Sequence, residues 1–242
     1  MRIAVSPVSG PKGPMPDLHS LDMALGFNFT GGNPGVDPQQ PPLLAPFNPH
    51  TGHFEVPHGT PIVNKTLNED FDELGRLLQR GGTDTTSLNS QGQTTFGQGY
   101  MDSITEVVKA GAVQVWDFYN NTMDTHPWHF HLVNVQIVGR GIFQSYVDST
   151  GVTVPVFGSF TDLQGNAGML TPPNPNELGW KDTVRMNPME ITRVIMRFDL
   201  PKIPKIMGNP LSPRTGGHEY VHHCHILEHE EHDMMRVLKV ID

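Results

Sequence analysis

Between Ile104 and Ile241 the chain repeatedly offers short segments rich in β-branched and aromatic residues, each closed by turn formers. They are Ile104 to Val108, Ala112 to Tyr119, Val133 to Val138, Glu190 to Phe198, Tyr220 to His225 and Met235 to Ile241. Pieces of this length and composition are strand signals, and their spacing predicts an all-β chain, a Greek-key β-sandwich. The 25 Gly and 22 Pro among 242 residues agree, because both punctuate a chain with turns.

The N-terminal part reads differently. From Pro7 to about Pro61, Gly, Pro, Asn and Asp dominate without a sustained period, as expected of a linker or wrapping segment. Phe71 to Arg80 places Leu74, Leu77 and Leu78 at helical spacing before Gly81-Gly82, which predicts a short helix with a glycine stop. Met169 to Asn176 predicts a surface loop.

Composition removes several function classes. A net charge of -9 and the lack of a dense Lys/Arg block disfavour nucleic acid as a partner. No apolar run approaches the roughly 20 residues that cross a bilayer, so no membrane partner is expected. Met1 to Pro7 is too short for a signal peptide, and the sequence leaves the compartment open. Cys224 is the single cysteine, so no internal disulfide forms.

Histidine is where the chemistry concentrates. Nine of the 13 histidines fall in two windows, Met123 to Leu132 and His218 to Met235. In the first, His126-Pro127-Trp128-His129-Phe130-His131, an extended chain sends His129 and His131 to one face, and Pro127 is expected to break the run and re-aim His126. In the second, His223-Cys224-His225, alternation sends the thiol to one side and both imidazoles to the other. A turn after His225 then lets His229 and Met234 return to the Cys224 side.

One thiolate, two imidazoles and a thioether suit a blue-copper electron-transfer centre, and Cys224, His126, His229 and Met234 supply them. Zinc is the competing metal, but structural zinc sites rarely use Met and usually employ more than one Cys. His129, His131, His223 and His225 remain as an all-imidazole group on the opposite face, suited to copper that binds oxygen.

These residues resemble the C-terminal copper signature of multicopper oxidases: H-P-x-H-x-H followed by H-C-H-x3-H-x4-M. The stretches HPWHFHLVNVQ, GWKDTV (Gly179 to Val184) and HHCHILEHEEHDMM look most like the branch of spore-coat laccase, bilirubin oxidase and phenoxazinone synthase. The likeness runs from about Asp102 to Ile241, with weaker echoes at Leu67-Asn68-Glu69 and Gly75-Arg76. It implies a cupredoxin fold, with type 1 copper on Cys224, His229, Met234 and His126. It further implies a type 2 ligand at His129, type 3 ligands at His131, His223 and His225, and a proton-relaying role for Glu230.

The same resemblance exposes a departure. A full trinuclear cluster takes eight histidines, four of them from two H-x-H motifs of an N-terminal cupredoxin domain, and this sequence has no such pair elsewhere. His19, His50, His53, His58, His218, His222 and His232 are expected to be solvated or supporting groups, with His222 and His232 the two nearest the copper. Met1 to Ser9 resembles the last strand of a preceding domain, so residues 1–95 are expected to hold that end, a linker and the helix, and residues 96–242 the C-terminal cupredoxin domain.

Two functions compete. One is the C-terminal part of a laccase-like oxidase that accepts single electrons from a small reducing substrate and passes them to a cluster reducing O2 to water, completed by a partner domain or chain with the missing H-x-H motifs. The other is a stand-alone blue-copper electron-transfer module. Full-length relatives of this type are often extracytoplasmic or coat-associated. Asn28, Asn64 and Asn120 match the glycosylation sequon at close to the chance rate.

Overall fold

The computed structural model describes residues 42–44, 48, 50–89, 92–201 and 211–242. Expectations for Met1 to Ser9 and for the chain up to Pro41 fall outside them. The described residues form two packed β-sheets, an all-β cupredoxin-like sandwich.

The larger sheet is built from β1 (Ile62–Phe71), β2 (Leu77–Leu88), β3 (Thr94–Gln98), β5 (Val113–Asn120), β7 (Val135–Val147), β8 (Thr153–Thr161) and β11 (Glu190–Arg197), in the order β3-β2-β1-β5-β11-β7-β8, with β9 (Trp180–Lys181) paired to β7. The smaller one has the order β10-β6-β12-β13-β4, from β4 (Glu106–Lys109), β6 (His126–Phe130), β10 (Thr183–Met186), β12 (His218–Cys224) and β13 (Met235–Ile241). Neighbours far apart in sequence mark the crossovers of a sandwich: β1 lies parallel to β5, and β13 parallel to β4.

Alternation along β5 explains where the core sits. Trp116 and Phe118 point between the sheets and meet Trp128 and Phe130 of β6 and Phe198, with ring centroids about 6 Å apart. Val115 points to the outer face, where Leu44, Phe54 and Val56 of the N-terminal segment cover it together with Val138 and Ile195. That part of the wrapping segment is also pinned by its backbone, since the amides of Leu43 and Leu44 donate to Gln136 Oε1 at 2.7 and 3.2 Å.

The helix expected over Phe71 to Arg80 is instead the tip of a hairpin. Asp72 caps the turn: its Oδ1 accepts the amides of Leu74 and Arg76, both at 2.8 Å, and Gly75 adopts φ +75°. β1 and β2 then pair from Phe71↔Leu77 back to Lys65↔Thr83, leaving Leu74 on the surface. Gly81 and Gly82 are close-approach residues inside β2, not a helix stop. A Cβ on Gly82 would overlap the Phe96 carbonyl, and one on Gly81 would touch the Trp128 ring. β1 to β3 therefore extend the same sheet that contains β5.

A buried ionic group joins the sheets. Lys65 of β1 donates to Glu106 Oε1 of β4 at 2.8 Å, with Arg236 of β13 at 3.6 Å and His222 of β12 at 3.8 Å from the same carboxylate. Burial alone would push Glu106 up, but Lys65, His222 and Arg236 together hold it far below the usual carboxylate range. Burial likewise lowers Lys65 against the pull of Glu106. Arg236 also donates from Nη1 to the Gly99 carbonyl and from Nη2 to the Ser103 carbonyl.

Candidate metal centre

Strand pairing brings the two histidine windows together. β12 lies antiparallel to β6 with His223 opposite His129 and Cys224 opposite Trp128, and β10 flanks β6 with Thr183 opposite His129. β6 runs unbroken from His126 through Phe130, so the expected break at Pro127 does not occur. Parity alone separates the ligands: His126 and His129 stand an odd number of residues apart and face opposite sides.

On the Cys224 side the sulfur lies 3.5 Å from Nδ1 of His126 and 3.5 Å from Nδ1 of His229, while those nitrogens are 3.2 Å apart. A point equidistant from the three atoms is about 2.0 Å from each, close to first-row metal–N and metal–S bond lengths. The donor set therefore fits a metal. His229 reaches it from α1 (Leu227–Glu231), a single turn anchored by the amides of His229 and Glu230 on the Ile226 carbonyl.

The chain returns through Asp233 at φ +69°, and a backbone relay closes the loop: the Met234 amide donates to His229 O and the Cys224 amide to Met234 O. Met234 is fully buried in the same core cluster as Cys224. Burial pushes the Cys224 thiol up to about 11 and, together with the neighbouring His229, draws His126 down to about 4. Burial also lowers His229. Neutral imidazoles thus offer lone pairs, and a bound cation is what would draw the proton from the thiol.

On the other side, ring nitrogens of His129, His131 and His223 lie within 4.8 Å of one another, and Nε2 of His131 is 3.3 Å from Nε2 of His223. His225 joins through its ring, with centroids 5.4 Å from both His129 and His223. Each of two rings is steered by its far nitrogen: His129 Nδ1 meets Thr183 Oγ1 at 3.0 Å, and His223 Nδ1 meets the Cys224 carbonyl at 3.0 Å. Glu230 Oε2 stands 3.5 Å from that same His223 Nδ1. Burial and the neighbouring imidazoles lower His131, although its side chain, like that of His225, borders solvent.

The other described histidines are not members of either group. His222 is buried between the sheets, where Nδ1 accepts the Trp128 indole N–H at 3.0 Å. His232 is exposed, and its carbonyl accepts Arg80. His50, His53 and His58 lie on the N-terminal segment, and His19 is outside the described residues. Sequence reasoning passed over Thr122, whose hydroxyl oxygen is 2.7 Å from Nε2 of His126, and Thr183; a lone threonine carries no spacing signal.

The chain is 36% identical to the laccase of Bacillus subtilis (strain 168) over 143 residues, 58% of this chain and 23% of the relative. It is 35% identical to the laccase of Bacillus stratosphericus over 192 residues, 73% of this chain and 32% of that one. Multicopper oxidase LPR1 of Arabidopsis thaliana is 35% identical over 155 residues, 59% and 25% of the two chains. This chain thus spans a third or less of the length of these relatives. The multicopper oxidase family profile matches residues 75–242, most of the described fold and every candidate ligand, and the chain belongs to that family.

Proposed function

We propose that this chain is the C-terminal part of a laccase-like oxidase, in which residues 96–242 hold a type 1 copper and half of a trinuclear copper site. The reading rests on one observation: Cys224 and His223, adjacent on β12, face opposite sides, each among its own imidazoles. Copper, when bound, supplies one-electron redox chemistry and oxygen binding. His126, Cys224, His229 and Met234 would hold the type 1 ion, and His129, His131, His223 and His225 would give four of the eight histidines of the cluster.

The chain's own residues then divide the work. The few bonds from the Cys224 sulfur to the His223 ring, bypassed by the 3.0 Å hydrogen bond from Nδ1 to the Cys224 carbonyl, form the route between the two groups. His229 is half-buried, and its edge admits outer-sphere donors: phenols, aminophenols, bilirubin-like tetrapyrroles or low-valent metal ions. Glu230, whose Oε2 lies 3.5 Å from His223 Nδ1, would hold and pass a proton at the open histidine face. A partner domain or chain with two H-x-H motifs completes the oxygen-reducing side.

Reconstitution with copper(II) tests this. The chain alone should gain an intense blue thiolate band with about one tightly held copper and consume no oxygen; adding a chain with the missing motifs should restore four coppers and turnover. Blue colour without turnover in that mixture would favour the stand-alone electron-transfer module. A colourless protein would overturn both.

A further inference from the structure

We propose that Asn120 and Thr122 are positioning residues that lock His126 in its Nε2–H form, so that its Nδ1 lone pair faces Cys224 and His229 before any metal arrives.

The direction of the Asn120 hydrogen bonds follows from fixed backbone groups. Asn120 is fully buried, and its amide nitrogen lies 2.8 Å from the Asp124 carbonyl and 3.0 Å from the Met186 carbonyl. Two acceptors there require an NH2, so the other end of the side chain must be the oxygen. That oxygen accepts the Thr122 amide at 3.0 Å, which agrees, and lies 2.8 Å from Thr122 Oγ1. Neither this oxygen nor the Asp124 carbonyl, 3.2 Å from Thr122 Oγ1, can donate, so the Thr122 hydroxyl has two oxygen acceptors for its proton, and the shorter contact, to Asn120, is assigned it. The Asp124 amide takes one of the hydroxyl lone pairs at 3.2 Å, and the remaining one faces His126 Nε2 at 2.7 Å. With the hydroxyl proton on an oxygen acceptor, Nε2 carries the imidazole proton and Nδ1 is left bare toward the 3.5 Å sulfur.

Thr122 is itself 1% exposed and His126 0%, so water does not compete for these contacts. The tripeptide Asn120-Asn121-Thr122, which reads as a glycosylation sequon, is thus consumed in the interior. β10 enters through the Met186 carbonyl, so the lock spans three elements: the end of β5, the loop after it and β10. An acceptor on the far nitrogen also raises the basicity of the ligating one.

The consequence for copper rests on the function proposed above, whereas the tautomer is a property of the metal-free chain. Long-range 1H–15N NMR of the metal-free protein reads the tautomer directly, with the His126 signals assigned by their loss in His126→Gln. Wild type and Thr122→Ser should show Nε2–H, and Thr122→Val, which keeps the shape without the hydroxyl, should show a mixture.

Chelator-competition titration should then find copper(II) held about 10- to 100-fold more weakly by Thr122→Val, with Thr122→Ser near wild type. An Nδ1–H form in the wild type overturns the lock and needs no variant to fold. Unchanged tautomer and affinity in Thr122→Val overturn it too. A wild-type chain without the blue band would refute the copper reading, and the NMR spectrum would still decide the lock.

Discussion

The two faces of β12 carry ligand groups of different composition and opposite finish. On the Cys224 side three of the four donors are enclosed: His126, Cys224 and Met234 have no exposure, His229 is half-buried, and the ring geometry is held from behind by Thr122 and from the side by the α1 loop. On the His223 side only His223 is buried; His129 is half-buried, and His131 and His225 border solvent. A closed site can be complete within one chain, whereas an open one leaves donors for another surface to meet. The difference between the faces is what motivates a self-contained metal centre beside an unfinished one.

The largest effect should come from Cys224→Ser. It removes the thiolate shared by no other site, and the blue band should vanish completely in absorption spectra of the copper-loaded protein. A surviving band would show that the enclosed group does not hold the metal through this sulfur.

His129→Ala tests the other side of the comparison. The blue band should keep its position and intensity, while any metal bound beyond the one proposed for the Cys224 side, counted by elemental analysis, should fall. A shifted band would mean that the two faces are not independent.

Glu106→Ala should damage both faces together, because it leaves Lys65 buried without its carboxylate in the core that carries β12 and β13. Urea unfolding should register a loss of about 3–5 kcal/mol. A loss confined to one metal group, with unfolding unchanged, would separate what the shared core is taken to join.

The smallest effect concerns the hairpin. Gly75 at φ +75° predicts that Gly75→Ala destabilises by about 1 kcal/mol, whereas in a helix interior the same change would stabilise by a similar amount. The sign of the shift in thermal melting therefore distinguishes the two conformations.

The boundary between what could and could not be read from sequence follows the physics of each element. β13, expected and found at Met235 to Ile241, and β11 carry β-branched and other apolar residues on both faces, so their signal is strong. β1 and β2 were not read as strands because they are largely polar, with Lys65, Asn68 and Gln79 buried through hydrogen bonds that the sequence does not display. Leucines at 74, 77 and 78 imitated a helix because a tight turn and a helical turn share that spacing.

The two ligand groups were legible since the parity of a strand decides which side chains share a face. The mechanism for His126 was misread, however: alternation within β6, not a break at Pro127, turns it away from His129. The supporting hydroxyls of Thr122 and Thr183 depend on β10 and the β5–β6 connection coming together, and no local pattern announces that.

The most direct measurement is a copper-edge anomalous difference map from crystals of the copper-loaded chain. The expected result is one peak between Cys224 Sγ and the Nδ1 atoms of His126 and His229, with any further copper on the opposite face of β12, against His129, His131 and His223. A single peak bonded to both Cys224 and His223 or His225 would contradict the division of this strand between two metal groups.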